Sequence, residues 1–583
     1  MKKSTLALSI AAAIGGMGIA GNALAVTDIL SGAGTNSVMV RNDGGIGHQL
    51  VFPYYTAQGT NATLLTITNT DTTNGKLVKV RFRGATNSDD VYDFQVAMSP
   101  GDVWTAAVTK DAASGAASLS TTDKSCTVPA VVNGSFKLDR VKDGSAANTL
   151  EGYVEVINMA NITPVTAAGS PTTYTSALFT AIKHVNGVAP CTAAVLTDKL
   201  GQDNTFARLT AANANGSTGI GLAAPTTGLA GDWIILDQAK TAAFSGSATA
   251  LEVRDPGNNL AVTGDVVFWP QMTGTPAGVT VSTTGGSPTG LDLMTADPLF
   301  TSGVATIQNY DLPDLSTAYT ATATSAAIQA DQSTSQLAVT SVSNSYSTET
   351  GIAAVTDLVF SQPFRRYSVA VNYKSTSSTS SSTGVVTAYP LNTSGTLPAA
   401  IYRGAVSGGG TAGTTLADTA NTAARLGTGS AYYASGNLTL TAATGALCLS
   451  GIAAPARNTI FDREETTPAS GTTSFVISPG TPLAPATTPV CGEAAVVSIN
   501  NGGVTGASAL NASLARTDFT STSLTTYASG WVRFATPSVG TPTTAMTAST
   551  AGPAGLPIIG QSFMRIANGA VNYGISYTNK VTR

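Results

Sequence analysis

Short apolar runs separated by turn residues dominate the first part of the chain. Segments rich in β-branched and aromatic residues lie at 48–55, 63–69, 76–83, 91–98 and 103–108. Clusters of Gly, Asn, Asp and Ser between them are typical turn signals. In the third segment, KLVKVRFR, charged and apolar residues nearly alternate. That alternation predicts a half-buried antiparallel strand.

Similar strand patterns continue to the end of the chain, and helical patterns are few. Further strands are predicted at 153–158, 233–236, 265–269, 358–360, 367–373, 531–534 and 572–577. Short helices are predicted at 321–329 and 417–425, both weakened by several Thr residues. The fold class that we predict is all-β: antiparallel β-sandwich domains of immunoglobulin-like character, with long Gly/Ser/Thr/Pro-rich loops.

The first 25 residues predict an export leader. Lys2 and Lys3 precede an apolar run that ends in Ala23-Leu24-Ala25, which is the pattern of a secretory signal peptide cut after Ala25. We therefore expect the mature chain to work outside the cytoplasm. Beyond the leader, no apolar run approaches the 18 or more residues that a membrane helix needs.

Shifts of composition divide the chain into four predicted regions. These are the signal peptide (1–25), an N-terminal β-sandwich region (26–269), a low-charge inserted region (270–350) and a C-terminal β region (351–583). We expect the C-terminal region to complete the N-terminal sandwich. Two independent domains are the alternative.

The chain carries little charge. Only 11% of its residues are charged, whereas about 25% is usual, and the formal net charge is −4. No basic run interleaved with aromatic residues is present, so we do not expect nucleic acid as a partner. Ser, Thr, Asn and Gly must cover much of the surface instead.

Four cysteines predict two disulfides. An even number in an exported chain favours disulfide bonds, although three pairings are open. Proximity along the chain favours Cys126–Cys191 and Cys448–Cys491. No pair has CxxC spacing, which argues against a zinc site.

No catalytic set emerges from the residue pattern. His48 and His184 are the two histidines, neither is accompanied by a GxSxG elbow, and we expect no enzymatic activity. Acidic residues form three small groups: Asp89, Asp90 and Asp93; Asp311 and Asp314; Asp462, Glu464 and Glu465. We interpret them as solvated loop acids. Calcium is the alternative, because it prefers oxygen ligands, and it is the one cofactor that we consider.

Several segments together resemble a group of exported proteobacterial cell-surface, surface-layer-like proteins. They lie at 48–56, 64–70, 76–85, 87–94, 98–104, 231–253, 461–465 and 555–580. The resemblance covers about a third of the chain. Because the resembling segments occur near both ends, it implies that the C-terminal region completes the N-terminal sandwich. It implies a location and a class of protein, and no active-site residues.

These observations favour a structural protein of the Gram-negative cell surface that self-assembles into a surface layer or similar extracellular array. Low charge density suits the packing of extended faces, and a contact that does not close on itself propagates. Its expected partners are other copies of itself and outer-membrane glycans or lipopolysaccharide. The alternatives are a monomeric adhesin or ligand-binding module and, less favoured, an outer-membrane β-barrel channel. A hydrolase is the least favoured.

Overall fold

The computed structural model describes most of the predicted N-terminal region and parts of the C-terminal region. The described residues are 37–138, 141–169, 172–193, 195–196, 222–266, 319–320, 326–365, 369–372, 399–402, 438–440, 446–449, 459–462, 490–501, 507–521, 528–536, 555–569 and 571–583. Among these residues, no helix has the length and apolar character needed to cross a membrane.

Two large sheets form from the N-terminal strands. The strands are β1 Val38–Asn42, β2 Ile46–Gly47, β3 Gln49–Thr56, β4 Asn61–Asn69, β5 Gly75–Gly84, β6 Asp90–Met98, β7 Val103–Lys110, β8 Ala117–Ser120, β9 Cys126–Val128, β10 Gly134–Ser135, β11 Glu151–Ile162, β12 Val165–Gly169, β13 Thr172–Thr175, β14 Leu222–Ala223, β15 Leu229–Asp237, β16 Ala242–Ser247 and β17 Thr249–Arg254. Sheet A has the order β1-β17-β3-β11-β5-β6-β9, with β14 also paired to β11. Sheet B has the order β10-β8-β7-β4-β15-β16, with β2 also paired to β15.

Sheets A and B pack face to face around one hydrophobic core. Period-two alternation places Val78, Val80 and Phe82 of β5 in this core. Phe94 of sheet A lies against Trp104 of sheet B, with ring centroids 5.5 Å apart. The predicted antiparallel β-sandwich is therefore confirmed.

The C-terminal strands form their own sheets. They are β18 Ala338–Val339, β19 Ser341–Ser347, β20 Val355–Ser361, β21 Val369–Asn372, β22 Ala399–Tyr402, β23 Leu438–Leu440, β24 Leu447–Leu449, β25 Thr459–Asp462, β26 Val490–Cys491, β27 Ala494–Asn501, β28 Arg516–Ser521, β29 Ser529–Ala535, β30 Leu556–Pro557, β31 Gln561–Asn568, β32 Val571–Thr578 and β33 Lys580–Thr582. Sheet C has the order β25-β29-β19-β33, and sheet D has the order β28-β27-β20-β31-β32. Smaller sheets join β12 to β13, β18 to β30, β21 to β22, and β23, β24 and β26 in that order. Within the part of the chain that the structure describes, the strand pairs are antiparallel except β27 with β28, which is parallel.

Sheet D lies between sheet C and the N-terminal sandwich. On one face, Phe563 of β31 packs against Trp233 and Phe244 of sheet B, with centroid distances of 5.7 Å and 5.5 Å. On the other face, Phe360 of β20 packs against Phe534 of sheet C at 5.2 Å. Strand β19 begins at residue 341, inside the predicted inserted region 270–350. It nevertheless belongs to sheet C, because β29 and β33 are its hydrogen-bonded partners.

Buried carboxylates also join the two halves of the chain. Glu151 Oε1 accepts hydrogen bonds from the backbone N–H groups of Ser513 and Leu514, at 2.7 Å and 3.1 Å. Asp357 Oδ2 accepts one from the backbone N–H of Leu510, at 2.9 Å. Burial raises the pKa of both carboxyl groups, and these hydrogen bonds oppose the rise. Segment 507–515 is thus fixed between the sandwich and sheet D.

The described helices are short. Helix α1 spans Ala177–Ile182 and begins with a Ser176 side chain that accepts from the Phe179 N–H; helix α2 spans Ala326–Leu337. Three-residue and four-residue 3-10 turns lie at Lys142–Gly144, Ala146–Thr149 and Thr350–Ile352. Helix α2 includes residues 326–329 of the helix predicted at 321–329 and continues to Leu337, whereas 321–325 and the helix predicted at 417–425 lie outside the described residues.

Candidate functional site

The two disulfides have the predicted partners. Cys126–Cys191 links β9 to the segment after α1 with a Cα–Cα distance of 5.3 Å, and Cys448–Cys491 links β24 to β26 at 3.9 Å. The first bond closes a separation of 65 residues and the second one of 43. Among the described residues no cysteine is free.

The charged face of β5 is buried, contrary to prediction. All ten residues of this strand are buried, so the expectation of a half-buried strand is wrong. Six side chains of sheet A, which we call the charge ladder, form a row of ionisable groups on the face away from the sandwich core. They are Lys79, Arg81 and Arg83 of β5, Asp90 and Asp93 of β6, and Glu155 of β11.

Close ion pairs hold the ladder together. Lys79 Nζ lies 2.7 Å from Asp93 Oδ1, and Arg81 Nε lies 3.1 Å from Asp90 Oδ2. Arg83 Nε lies 3.1 Å from Glu155 Oε2. The side chains in these pairs are 0% exposed, except that of Glu155 at 4%. Three cations therefore balance three anions where water does not screen them.

The acidic cluster at 89–93 is thus not a set of solvated loop acids, which corrects the prediction. Asp90 and Asp93 are 0% exposed and Asp89 is 8% exposed. Burial raises the pKa of Asp93 to about 7, and Lys79 opposes that rise. Burial lowers the pKa of Lys79 to about 8, and Asp93 opposes that fall. Desolvation disfavours each charge, and each partner favours the other's ionised form.

A second buried group extends the ladder toward the C-terminal half. The Ser88 hydroxyl contacts both the Tyr153 hydroxyl, at 2.6 Å, and the Glu493 carboxylate. Arg365 Nε lies 3.3 Å from Glu493 Oε1. These four side chains join sheet A to the end of β20 and the start of β27, so they have a structural role.

His48 is a structural hydrogen-bond acceptor. Its Nδ1 accepts the Val253 backbone N–H at 3.1 Å, which places the ring proton on Nε2. Its ring packs edge-on to Tyr319 with centroids 6.1 Å apart. Burial lowers the pKa of His48 to about 3, with a further contribution from Lys76. This neutral ring fixes β17 against the turn before β3.

His184 lies near a serine and an aspartate, but the arrangement is not that of a catalytic triad. Its Nδ1 is 3.2 Å from Ser99 Oγ and 3.9 Å from Asp102 Oδ2. In a triad the serine and the aspartate contact different ring nitrogens. Here the same nitrogen faces both, so the aspartate is not placed to orient the ring toward the serine.

The other predicted acidic groups are only partly described. Asp462 ends β25, whereas Asp311, Asp314, Glu464 and Glu465 lie outside the described residues. Within the described ranges, no three His, Cys, Asp or Glu side chains lie close enough together to hold a metal ion.

The hairpin β31–β32 exposes apolar side chains in a row. Antiparallel pairing and period-two alternation place Val571, Tyr573, Ile575 and Tyr577 on one side of β32; we call them the hairpin stripe. Val571, Tyr573 and Tyr577 are 51%, 53% and 42% exposed. The opposite side of the hairpin is occupied, since Phe563 packs on sheet B and the Ser576 hydroxyl donates to the Ser245 carbonyl at 2.5 Å.

Sequence reasoning placed a strand at 572–577 but did not single out this stripe. The alternation Val-Asn-Tyr-Gly-Ile-Ser-Tyr was the available signal, although alternation alone does not tell which side faces solvent. No protein-family model, curated protein or solved structure matches the chain.

Proposed function

We propose that this chain is a structural protein of a Gram-negative cell surface, exported after cleavage at Ala25, that self-assembles into a surface layer or similar array. The proposed role is not enzymatic. Its proposed partners are further copies of the chain and outer-membrane glycans or lipopolysaccharide. The proposal requires no cofactor, and calcium is the one alternative. The acids at 90 and 93 are unsuited to bridging neighbours through calcium, because Arg81 and Lys79 already occupy them.

The hairpin stripe is the observation that carries this proposal. Single exposed apolar residues are normal on a protein surface, whereas a contiguous apolar row marks a contact site. Full burial of one large apolar side chain stabilises a contact by about 1.5–3 kcal/mol. Because β32 is the edge strand of sheet D, a neighbouring copy would approach the stripe without displacing another strand of that sheet.

The test is electron microscopy of sheared cell surfaces, together with light scattering of the purified mature chain with and without calcium. Ordered sheets or filaments are the expected result. Tyr573→Ser should shift assembly to higher protein concentration, because it removes the most exposed aromatic side chain of the stripe. Circular dichroism checks that this variant is folded.

Trp531→Ala is the matched control. It also removes an exposed aromatic side chain, but from sheet C, so it should assemble like the unmodified chain. A mature chain that remains monomeric at high concentration and forms no array on cells would contradict the proposal.

A further inference from the structure

The outer face of sheet C has a central strand of serines. Strand β19 has the sequence SVSNSYS, and its alternation places Ser341, Ser343, Ser345 and Ser347 on one side. Val342, Asn344 and Tyr346 on the other side are all buried. Ser345 is exposed and Ser343 is partly exposed. The middle of β19 therefore offers hydroxyl groups on short side chains to solvent.

Large side chains flank these serines on both neighbouring strands. Strand register aligns Arg533, Ser343 and Lys580 in one row across the sheet, and it aligns Phe461, Trp531 and Ser345 in the next. Residues paired in this way point to the same side. We call these six residues the serine trough, because the serines form a low floor between taller neighbours.

One wall of the trough is aromatic. The Trp531 and Phe461 rings are stacked, with centroids 4.5 Å apart and an interplanar angle of 17°. Trp531 is 39% exposed, although a side chain of this size normally adds to a core. Phe461 therefore stacks on one face of the indole, and Ser345 is the residue paired to Trp531 on the neighbouring strand β19.

The trough is positively charged in a chain of net charge −4. Arg533 and Lys580 are exposed and lie two strands apart, about 10 Å. Among the described residues neither forms a salt bridge, while Lys580 Nζ donates to the Thr578 carbonyl at 3.1 Å. The two rows contain no carboxylate; Glu349 lies beyond them, where its Oε1 accepts from the Ser529 hydroxyl at 3.1 Å.

We propose that the serine trough binds a polysaccharide that carries carboxylate groups. The apolar C–H face of a sugar ring packs on the free indole face of Trp531. The Ser343 and Ser345 hydroxyls donate to and accept from sugar hydroxyls. Arg533 and Lys580 bind carboxylates on units spaced along the chain. This binding does not depend on self-assembly, since it uses sheet C and not the hairpin stripe.

Calorimetric titration of the mature chain with oligomers of galacturonic acid tests the proposal. The methyl esters of the same oligomers are the matched control, because they keep the sugar and remove the charge. We expect the acid form to bind at least ten-fold more tightly than the ester, and this preference to diminish as salt is added. Equal affinity for the two forms, no binding of the acid form, or tighter binding of single-stranded DNA would overturn it.

Variants assign the binding to the trough. Trp531→Ala should weaken binding of the acid form about ten-fold or more, and Arg533→Gln and Lys580→Gln should each weaken it and lower its salt dependence. Leu260→Ala, at an exposed residue outside both the trough and the hairpin stripe, should leave the affinity unchanged. Unchanged affinity in a folded Trp531→Ala protein would overturn the assignment.

A second variant covers the case in which Trp531→Ala does not fold. Ser345→Gln fills the floor of the trough at an exposed position and should weaken binding without loss of structure. An unchanged affinity in this variant would equally overturn the proposal. Failure of binding with arrays intact rejects the trough alone, whereas binding by a strictly monomeric chain rejects self-assembly alone.

Discussion

The charge ladder leads to a quantitative prediction on stability. Replacing Glu155 with Gln, or Arg83 with Met, removes one member of a buried pair whose charged atoms lie 3.1 Å apart. Each single change leaves the ladder with three charges of one sign and two of the other. An uncompensated buried charge costs about 3–5 kcal/mol of folding free energy.

The double variant should be more stable than the sum of the two single losses predicts. In the double variant Arg83→Met/Glu155→Leu, the Lys79–Asp93 and Arg81–Asp90 ion pairs remain. Two cations therefore still balance two anions. Replacing a buried ion pair by apolar residues of similar volume is often neutral or stabilising. We therefore expect the double variant to have a free energy of unfolding close to that of the unmodified protein. The coupling free energy between the two sites should be at least about 3 kcal/mol.

Urea unfolding followed by tryptophan fluorescence measures this coupling, since Trp104 and Trp233 are 0% and 1% exposed in the adjoining core. The slope of free energy against urea should stay constant across the variants. The exposed pair Arg41–Asp43, 26% and 83% exposed, is the control and should couple by less than about 1 kcal/mol. Additive single changes at Arg83 and Glu155 would refute the reasoning.

Two further predictions concern His48 and the first disulfide. Burial lowers the pKa of His48 from 6.5 to about 3. Between these pH values the unfolded chain binds a proton that the folded chain does not, so the free energy of unfolding falls as the pH drops through this window. His48→Asn keeps an acceptor for the Val253 N–H and should therefore reduce the loss of melting temperature on acidification. A loss equal to that of the unmodified protein would contradict this. Replacing both Cys126 and Cys191 with Ser should lower the free energy of unfolding by about 4 kcal/mol, as measured by urea unfolding. Peptide mapping that finds either cysteine free in the unmodified protein would contradict the pairing.

The strands were predictable because their physical cause is local. The segments at 48–55, 91–98 and 531–534 were found within two residues of β3, β6 and β29, since β-branched and aromatic residues between turn signals favour extended backbone wherever they occur. Cysteine pairing was also predictable, because proximity along the chain agreed with proximity in space.

Which face of a strand is buried was not predictable in the same way. The Val-Lys-Val-Arg-Phe-Arg alternation of residues 78–83 correctly indicates a strand, but it assigns the charged side to solvent. In the structure that side is buried, and its charges are neutralised by Asp90 and Asp93 of β6 and by Glu155, more than 70 positions away on β11. Such compensation depends on strand order, which the alternation does not encode.

Burial of these charges also bears on assembly. The ladder and the Arg365–Glu493 pair bury four basic and four acidic side chains. The whole chain has only 29 basic and 33 acidic residues. The exposed surface therefore carries fewer charges than the composition implies. Repulsion between copies then opposes contact between exposed apolar rows less strongly. The hairpin stripe at the edge of sheet D and the cationic trough on sheet C then stand out as separate contact surfaces: one suited to another copy of the chain, the other to an acidic polymer.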